Sequence, residues 1–138
     1  MMPQDPKLQY RAVWLAIGYA LLGVIIYLSV VSAPPMPDIG FDWQDKLYHL
    51  LAYFSLMFWF VQIYHRRQQR LLLALAFTTV GIALEGLQSL NPQRYAEVAD
   101  MIANSSGVLL AWWLSTSRLD RCLLWLDGKL ANGCMNRG

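Results

Sequence analysis

The sequence has few charged side chains, and this scarcity excludes most soluble folds. Of its 138 residues, only 14% are Asp, Glu, Lys or Arg, while 57% are hydrophobic. Soluble globular domains contain about 25% charged residues and roughly 45–50% apolar ones. So few polar groups cannot cover a compact globule, and the composition therefore predicts a membrane protein. A net charge of +2 also lacks the clustered basic excess of nucleic-acid binders, so no nucleic-acid partner is expected.

Cysteine and histidine are equally scarce, with two residues of each. Cys122 and Cys134 lie near the C-terminus at no recognisable metal spacing, so we expect reduced thiols. A zinc site is disfavoured by this shortage of soft ligands, although the acidic residues could accept a harder cation. No metal or cofactor is therefore expected. The hydrolase signatures G-x-S-x-G and H-E-x-x-H are absent as well.

Four long apolar segments dominate what is present. A helix needs about 20 residues to cross the hydrocarbon layer, and a barrel strand about half as many with alternating polarity. The segments are continuously apolar and of nearly helical spanning length, at residues 12–31, 47–64, 71–90 and 99–117. A cleaved signal peptide is disfavoured for the first, because it is too long and proline follows it directly. We predict an all-α membrane protein with a four-helix transmembrane domain over residues 1–117.

Lysine and arginine are distributed unevenly between the connections, and this predicts the orientation. Nine of them precede the first segment, join the second to the third, or follow the fourth, whereas the other two connections hold only Lys46 and Arg94. Cationic connections stay on the cytoplasmic side. Both termini are therefore expected in the cytoplasm, and the loops 32–46 and 91–98 outside a bacterial cytoplasmic (inner) membrane.

The C-terminal residues 118–138 are predicted to form a cytoplasmic amphipathic tail. Leu119, Leu123 and Leu126 recur at helical spacing, with charged residues such as Asp120 and Asp127 on or near the other side. This pattern predicts a short helix lying on the inner leaflet. A frayed, partly disordered tail is the alternative.

Polar side chains collect at the predicted outer ends of three segments. They are Asp45, Lys46, His49 and Tyr53 in the second segment, Glu85 and Gln88 in the third, Arg94 and Glu97 in the following connection, and Asp100 and Asn104 in the fourth. A carboxylate within a membrane helix costs about 3 kcal/mol unless it is paired, hydrated or protonated. Small residues along the fourth segment would permit close helix packing, namely Ala99, Ala103, Gly107 and Ala111. We therefore expect the polar groups to meet in one pocket.

The order and spacing of these residues resemble the VanZ-like family of small bacterial membrane proteins. The matching pattern is D-K-x-x-H-x-x-x-Y, then E-x-x-Q, then R-x5-D-x3-N-x-x-G, and it covers about residues 12–115. Two positions depart from it: Glu97 stands where a small polar residue is commoner, and Ala111 replaces a second glycine. The family is named for a protein linked to low-level resistance to the glycopeptide teicoplanin. The resemblance implies a cell-envelope protein and an effect on glycopeptide susceptibility.

Several functions are open to such a pocket. An enzyme acting on an anionic lipid or lipid-linked envelope precursor would use His49, Glu85 and Asp100 as catalytic groups. The substrate-binding groups would then be Lys46, Arg94, Gln88, Asn104, Asp45 and Tyr53. An amphiphile-binding module without chemistry and a small proton-linked transporter are the alternatives. The expected partners are membrane lipids or a lipid-linked precursor, the binding module could instead capture the antibiotic, and the pattern indicates no particular oligomeric state.

Purely structural roles are also open to these residues. His49 could simply bond to Asp45, and Glu85 with Asp100 could form an ion-pair network that holds three helices in register. Gln88 and Asn104 have the chemistry of interhelical hydrogen bonds.

Overall fold

The computed structural model describes residues 7–31, 37–92 and 97–135, which are helical and contain no strand. The helices are α1 (Arg11–Val30), α2 (Gln44–Val61), α3 (Arg67–Gln88), α4 (Val98–Leu114) and α5 (Cys122–Met135), with a short 3₁₀ helix at Arg118–Arg121 before α5. The prediction of an all-α chain is confirmed for this part of the chain. Each predicted apolar segment coincides with one of the first four helices, and the ends differ by at most four residues.

Two of these helices are long and apolar enough to cross a membrane. They are α1, with a mean hydropathy of 2.2, and α3, with a mean hydropathy of 1.7. The other two fall short for visible reasons: α4 has only 17 residues, and α2 opens with Gln44, Asp45 and Lys46. Length and composition alone therefore identify two candidate spans, where the sequence predicted four.

Helices α2 and α4 are in backbone contact at Gly107. A Cβ atom at this position would overlap the carbonyl oxygen of Leu50 and lie 2.9 Å from the backbone nitrogen of Phe54. Along the predicted stripe of small residues, Ala103, Gly107 and Ala111 are buried, whereas Ala99 is exposed. Small side chains thus bring α4 close to α2, as they do in membrane helix pairs.

Aromatic side chains fill the space between the helices. Phe60 of α2 lies at the centre, with its ring centroid 5.3 Å from that of Phe77 in α3 and 5.6 Å from that of Tyr19 in α1. The outward faces are also apolar, with large exposed side chains that include Val13, Leu72 and Ile102. Apolar residues therefore face both the core and the surroundings.

Asp127 anchors helix α5 to the start of α1. Its carboxylate accepts hydrogen bonds from the Trp14 Nε1 at 2.7 Å and from the backbone nitrogens of Gln9 at 2.7 Å and Tyr10 at 3.0 Å. Burial alone would raise the pKa of Asp127, but these bonds to the charged form outweigh it and hold the pKa below its usual value. The expectation that Asp127 lies on the polar face is wrong, because only 2% of it is exposed.

The apolar contacts of α5 reinforce this anchor. Leu123 packs in a cluster with Leu8, Trp14 and Ile63, and its backbone nitrogen donates to the Gln62 Oε1 at 2.8 Å. The tail is helical over Cys122–Met135. Four other large apolar side chains of the tail are exposed, namely Leu119, Trp125, Leu126 and Leu130.

Candidate functional site

The first turns of α2 and α4 and the last turn of α3 lie together at one end of the bundle, termed here the polar end. Helix α3 runs antiparallel to α2 and α4, which brings the polar residues of all three helices to this end. Charged side chains from α2 and from the start of α4 meet directly, and the backbone nitrogen of Glu97 donates to the Glu85 Oε1 at 2.9 Å. The predicted convergence of polar groups is thus visible in the contacts among the described residues.

Lys46 is held by carboxylates from two helices. Its Nζ lies 2.8 Å from Asp45 Oδ2, 2.5 Å from Glu97 Oε2 and 3.1 Å from Asp100 Oδ1. The ammonium group donates hydrogen bonds to Asp45 and Glu97 and forms an ion pair with Asp100. An anionic ligand of Lys46 would have to displace one of these carboxylates. Asp45 and Glu97 are the displaceable ones, since their side chains are 52% exposed and that of Asp100 is 8% exposed.

His49 lies one turn further into α2, between two polar residues of α4. Its Nδ1 is 3.1 Å from the Asn104 Oδ1, and its Nε2 is 3.8 Å from Asp100 Oδ2. The first distance is a hydrogen bond, in which Nδ1 donates to the amide oxygen, whereas the second is too long for one. The imidazole is 24% exposed, so it is accessible from outside while its orientation is fixed from within.

Glu85 is the most deeply buried acid of this end, with 1% of the residue exposed. It caps the start of α4 through the Glu97 backbone nitrogen, where a negative charge also interacts favourably with the helix dipole. His49, Glu85 and Asp100 each offer one atom that could bind a metal ion, and these three atoms lie within 4.8 Å of one another. A second such group contains Asp45, Glu97 and Asp100, and Lys46 occupies it.

Tyr53 lines the inner wall of the site. It lies one turn below His49 on the same helix, and its ring packs against the backbone of Gly81, where a Cβ atom would meet it at 3.2 Å. The same position would be 3.2 Å from the Cβ of Asn104. The Tyr53 hydroxyl is buried and has no hydrogen-bond partner among the described residues. Glycine at position 81 therefore lets three helices meet around this hydroxyl.

The remaining predicted residues have other placements. Gln88 donates through Nε2 to the carbonyl oxygen of Ser29 at 2.8 Å, so it links α3 to the end of α1 rather than joining His49 and Lys46. Arg94 lies outside the described residues. Glu97, which was counted among the polar residues of this end but not among the predicted catalytic or binding groups, contacts Lys46 through its side chain and donates its backbone N–H to Glu85. Its spacing of three residues from Asp100 and seven from Asn104 was the available signal.

A second polar cluster at the opposite end of the bundle was not predicted. The guanidinium of Arg70 donates to the carbonyl oxygens of Val61, Tyr64 and Ser115 at 2.8–2.9 Å, and to the Asp120 Oδ2 at 2.7 Å. It therefore satisfies the carbonyl ends of two helices and joins them to the 3₁₀ helix. A surface cavity of about 400 Å³ lies beside it, lined by His65, Arg67, Arg70, Trp112, Ser115 and Thr116.

Comparisons with known proteins add one relative. The chain is 29% identical over 118 residues to an uncharacterised protein of Schizosaccharomyces pombe, a stretch that covers 83% of this chain and 70% of the yeast protein. No protein-family model matches the sequence. No solved structure matches it either.

Proposed function

We propose that this chain is a VanZ-like membrane protein that binds the headgroup of an amphiphile at its polar end. The amphiphile is an anionic lipid or a lipid-linked cell-envelope precursor, and glycopeptide susceptibility is the phenotype it would affect. The proposal includes four membrane-spanning helices, α1 to α4, in a bacterial cytoplasmic membrane, with both termini in the cytoplasm. The resemblance in the spacing of the polar residues supports the family.

The surface of the bundle supports the membrane part of the proposal. In the most apolar stretch of each helix, only 17% of α1 and 28% of α3 is buried inside the bundle. A core helix of a soluble protein would be mostly enclosed, whereas lipid-facing helices expose their apolar side chains to the bilayer. Helices α2 and α4 pack directly on each other, so Asp100 and Asn104 are buried between helices and need not contact lipid.

The orientation of His49 is the observation that supports headgroup binding and proton transfer at the polar end. The imidazole is accessible from outside, Asn104 fixes its Nδ1, and its Nε2 faces the buried Asp100. A histidine held in this way can take or give a proton at Nε2 when a headgroup enters the mouth of the site. The exposed Asp45 and Glu97 can swing away from Lys46, because exposed ion pairs contribute only about 0–1 kcal/mol. Lys46 would then hold the anionic group.

Lipid profiling with complementation tests this function. A strain lacking the gene should show an altered lipid or precursor composition that the wild-type gene restores. His49→Ala and Glu85→Gln should fail to restore it although the protein accumulates in the membrane. His65→Ala is the matched control, because it removes the other histidine, which lies at the opposite end. Full restoration by both site variants would refute the proposal. Saturable lipid binding by purified protein without any product would favour a binding module over an enzyme.

Reporter fusions test the membrane topology separately. Alkaline phosphatase, which is active only outside the cytoplasm, should be active when fused after residue 40 and inactive when fused after residue 67 or 138. Four spans with cytoplasmic termini require this alternation. Phosphatase activity at residue 67 would refute the proposed orientation.

A further inference from the structure

The distance between the facing side-chain atoms of His49 and Asp100 would allow both to bind one metal ion. Their facing atoms, Nε2 and Oδ2, are 3.8 Å apart, which is too long for a hydrogen bond. Two donors on one zinc-like ion each lie about 2.0–2.2 Å from it, so they are separated by about 3.3 Å at a tetrahedral angle and up to about 4.3 Å when opposed. The observed distance falls within this interval.

The hydrogen bond to Asn104 prepares His49 for this role. Because Nδ1 donates to the amide oxygen of Asn104, Nε2 is left with the lone pair of the neutral ring. A lone pair that faces a carboxylate oxygen is electrostatically unfavourable unless a proton or a cation lies between them. Metal-binding histidines show the same arrangement, with the second ring nitrogen donating to a carbonyl or carboxylate.

Glu85 supplies a third donor. One ligand atom each of His49, Glu85 and Asp100 lies within 4.8 Å of the others, a limit that includes the separations of ligand atoms on one ion. Glu85 and Asp100 are 1% and 6% exposed. Two carboxylates this deeply buried are costly unless positive charge is nearby. Lys46 contacts Asp100 through Oδ1, which leaves Oδ2 facing His49.

The Tyr53 hydroxyl points independently to a ligand in this space. It is buried and without a hydrogen-bond partner among the described residues, and the whole residue is 2% exposed. Side chains on a helix tilt toward its N-terminus, which directs Tyr53 toward the turn that carries His49, and its ring packs at Gly81, one turn from Glu85. A buried hydroxyl without a partner costs about 1–3 kcal/mol. Water on a bound cation would satisfy it.

We propose that His49, Glu85 and Asp100 bind one divalent transition-metal cation at the polar end of the bundle. One imidazole and two carboxylates are a mixed nitrogen and oxygen set that suits Mn²⁺ or Zn²⁺ better than Mg²⁺. Asn104 is a positioning residue that orients the imidazole, and Tyr53 bonds to water on the cation. While Nε2 binds the cation it cannot take a proton, so in the metal-bound protein the charge of the cation, and not proton transfer at Nε2, would act on an anionic headgroup. That action rests on the proposed function, whereas the binding of the cation does not.

Manganese titration of the purified full chain tests the site. The protein is isolated in detergent with an affinity tag that contains no histidine, and free Mn²⁺ is followed by electron paramagnetic resonance. We expect one Mn²⁺ per chain, displaced by stoichiometric Zn²⁺, with nitrogen coupling in the pulsed spectrum. His49→Ala should abolish the nitrogen coupling. It and Glu85→Gln should each weaken binding at least tenfold, and Asn104→Ala about tenfold, as loss of an orienting partner does. His65→Ala should bind as the wild type does.

Two results would overturn this inference. One is wild-type protein that binds neither Mn²⁺ nor Zn²⁺ at 1 mM, a concentration about a thousandfold above a micromolar dissociation constant. The other is a wild-type spectrum without nitrogen coupling, which decides the matter even if His49→Ala fails to fold. A metal-free protein whose lipid phenotype still requires His49 overturns the metal site and leaves the proposed function intact. Metal binding without any lipid phenotype supports the site and counts against that function.

Discussion

Gly107 of α4 and Leu50 of α2 meet backbone to backbone, with no room for a side chain between them. Leu50 directly follows His49, and Gly107 lies one turn beyond Asn104 and two beyond Asp100. The approach of these two residues therefore sets the distance between the imidazole and its α4 partners. Helix packing and site geometry depend on the same contact.

Replacing Gly107 by alanine should destabilise the bundle by about 1–3 kcal/mol, because the added methyl group overlaps the Leu50 carbonyl oxygen and must push the helices apart. Thermal unfolding in detergent measures the change. Gly86→Ala is the matched control, since a Cβ atom at that helical position meets nothing within 4 Å. Alanine there should be neutral or stabilise by about 0.5–1 kcal/mol. Equal melting temperatures for the two variants would disprove the close contact.

Sequence periodicity could locate the helices because hydropathy and proline act locally along the chain. It could also place the polar residues at one end, since short connections force successive helices to run antiparallel. It could not identify which groups these side chains contact in the folded bundle. Whether Gln88 faces His49 or Ser29 depends on a rotation of α3 of less than one turn, which packing determines.

Arg70 and Asp127 also make contacts that the local sequence could not reveal. Each looks like a solvated charge in its own sequence neighbourhood, at the edge of an apolar segment or on an amphipathic tail. Their acceptors and donors come from segments up to 118 residues away in the sequence. No local pattern distinguishes a buried charge with distant partners from an exposed one, and only the packed bundle does.

Asp127→Asn should loosen α5 near neutral pH. The carboxylate loses its charge, and a hydrogen bond to a charged group contributes about 1.5–3 kcal/mol. Because the pKa of Asp127 is lowered by folding, its stabilisation is complete above the unfolded value of about 3.9 and is lost as pH falls through the lower folded pKa. At pH 7 the stabilisation by the charged carboxylate is complete in the wild type. Hydrogen exchange over residues 122–135 should therefore be faster in Asp127→Asn than in the wild type. Asp42→Asn, at an exposed position, is the control. Identical exchange in the wild type and Asp127→Asn would contradict the anchor.

Arg70→Ala should lower the free energy of unfolding by about 3 kcal/mol, because it leaves Asp120 and three carbonyl oxygens without their donor. Arg70→Lys should recover only part of the loss, since one ammonium cannot reproduce the planar fork of the guanidinium. Arg67→Ala serves as the control, because Arg67 is exposed one turn away, and it should change stability by no more than about 0.5 kcal/mol. Chemical denaturation resolves these differences, and equal losses for Arg70→Ala and Arg67→Ala would rule out the capping role.

Lys46→Met should turn the mouth of the site into a place for a second cation. Without the ammonium, Asp45, Glu97 and Asp100 lie close together with no positive charge between them, and the unpaired acids should lower stability by about 1–3 kcal/mol. Oxygen donors alone suit Ca²⁺, so millimolar Ca²⁺ should restore the melting temperature of this variant and leave that of the wild type unchanged. Lys46→Arg keeps the positive charge and should show no such response. If Ca²⁺ stabilised the wild type and Lys46→Met equally, Lys46 would not be the group that occupies this acidic cluster.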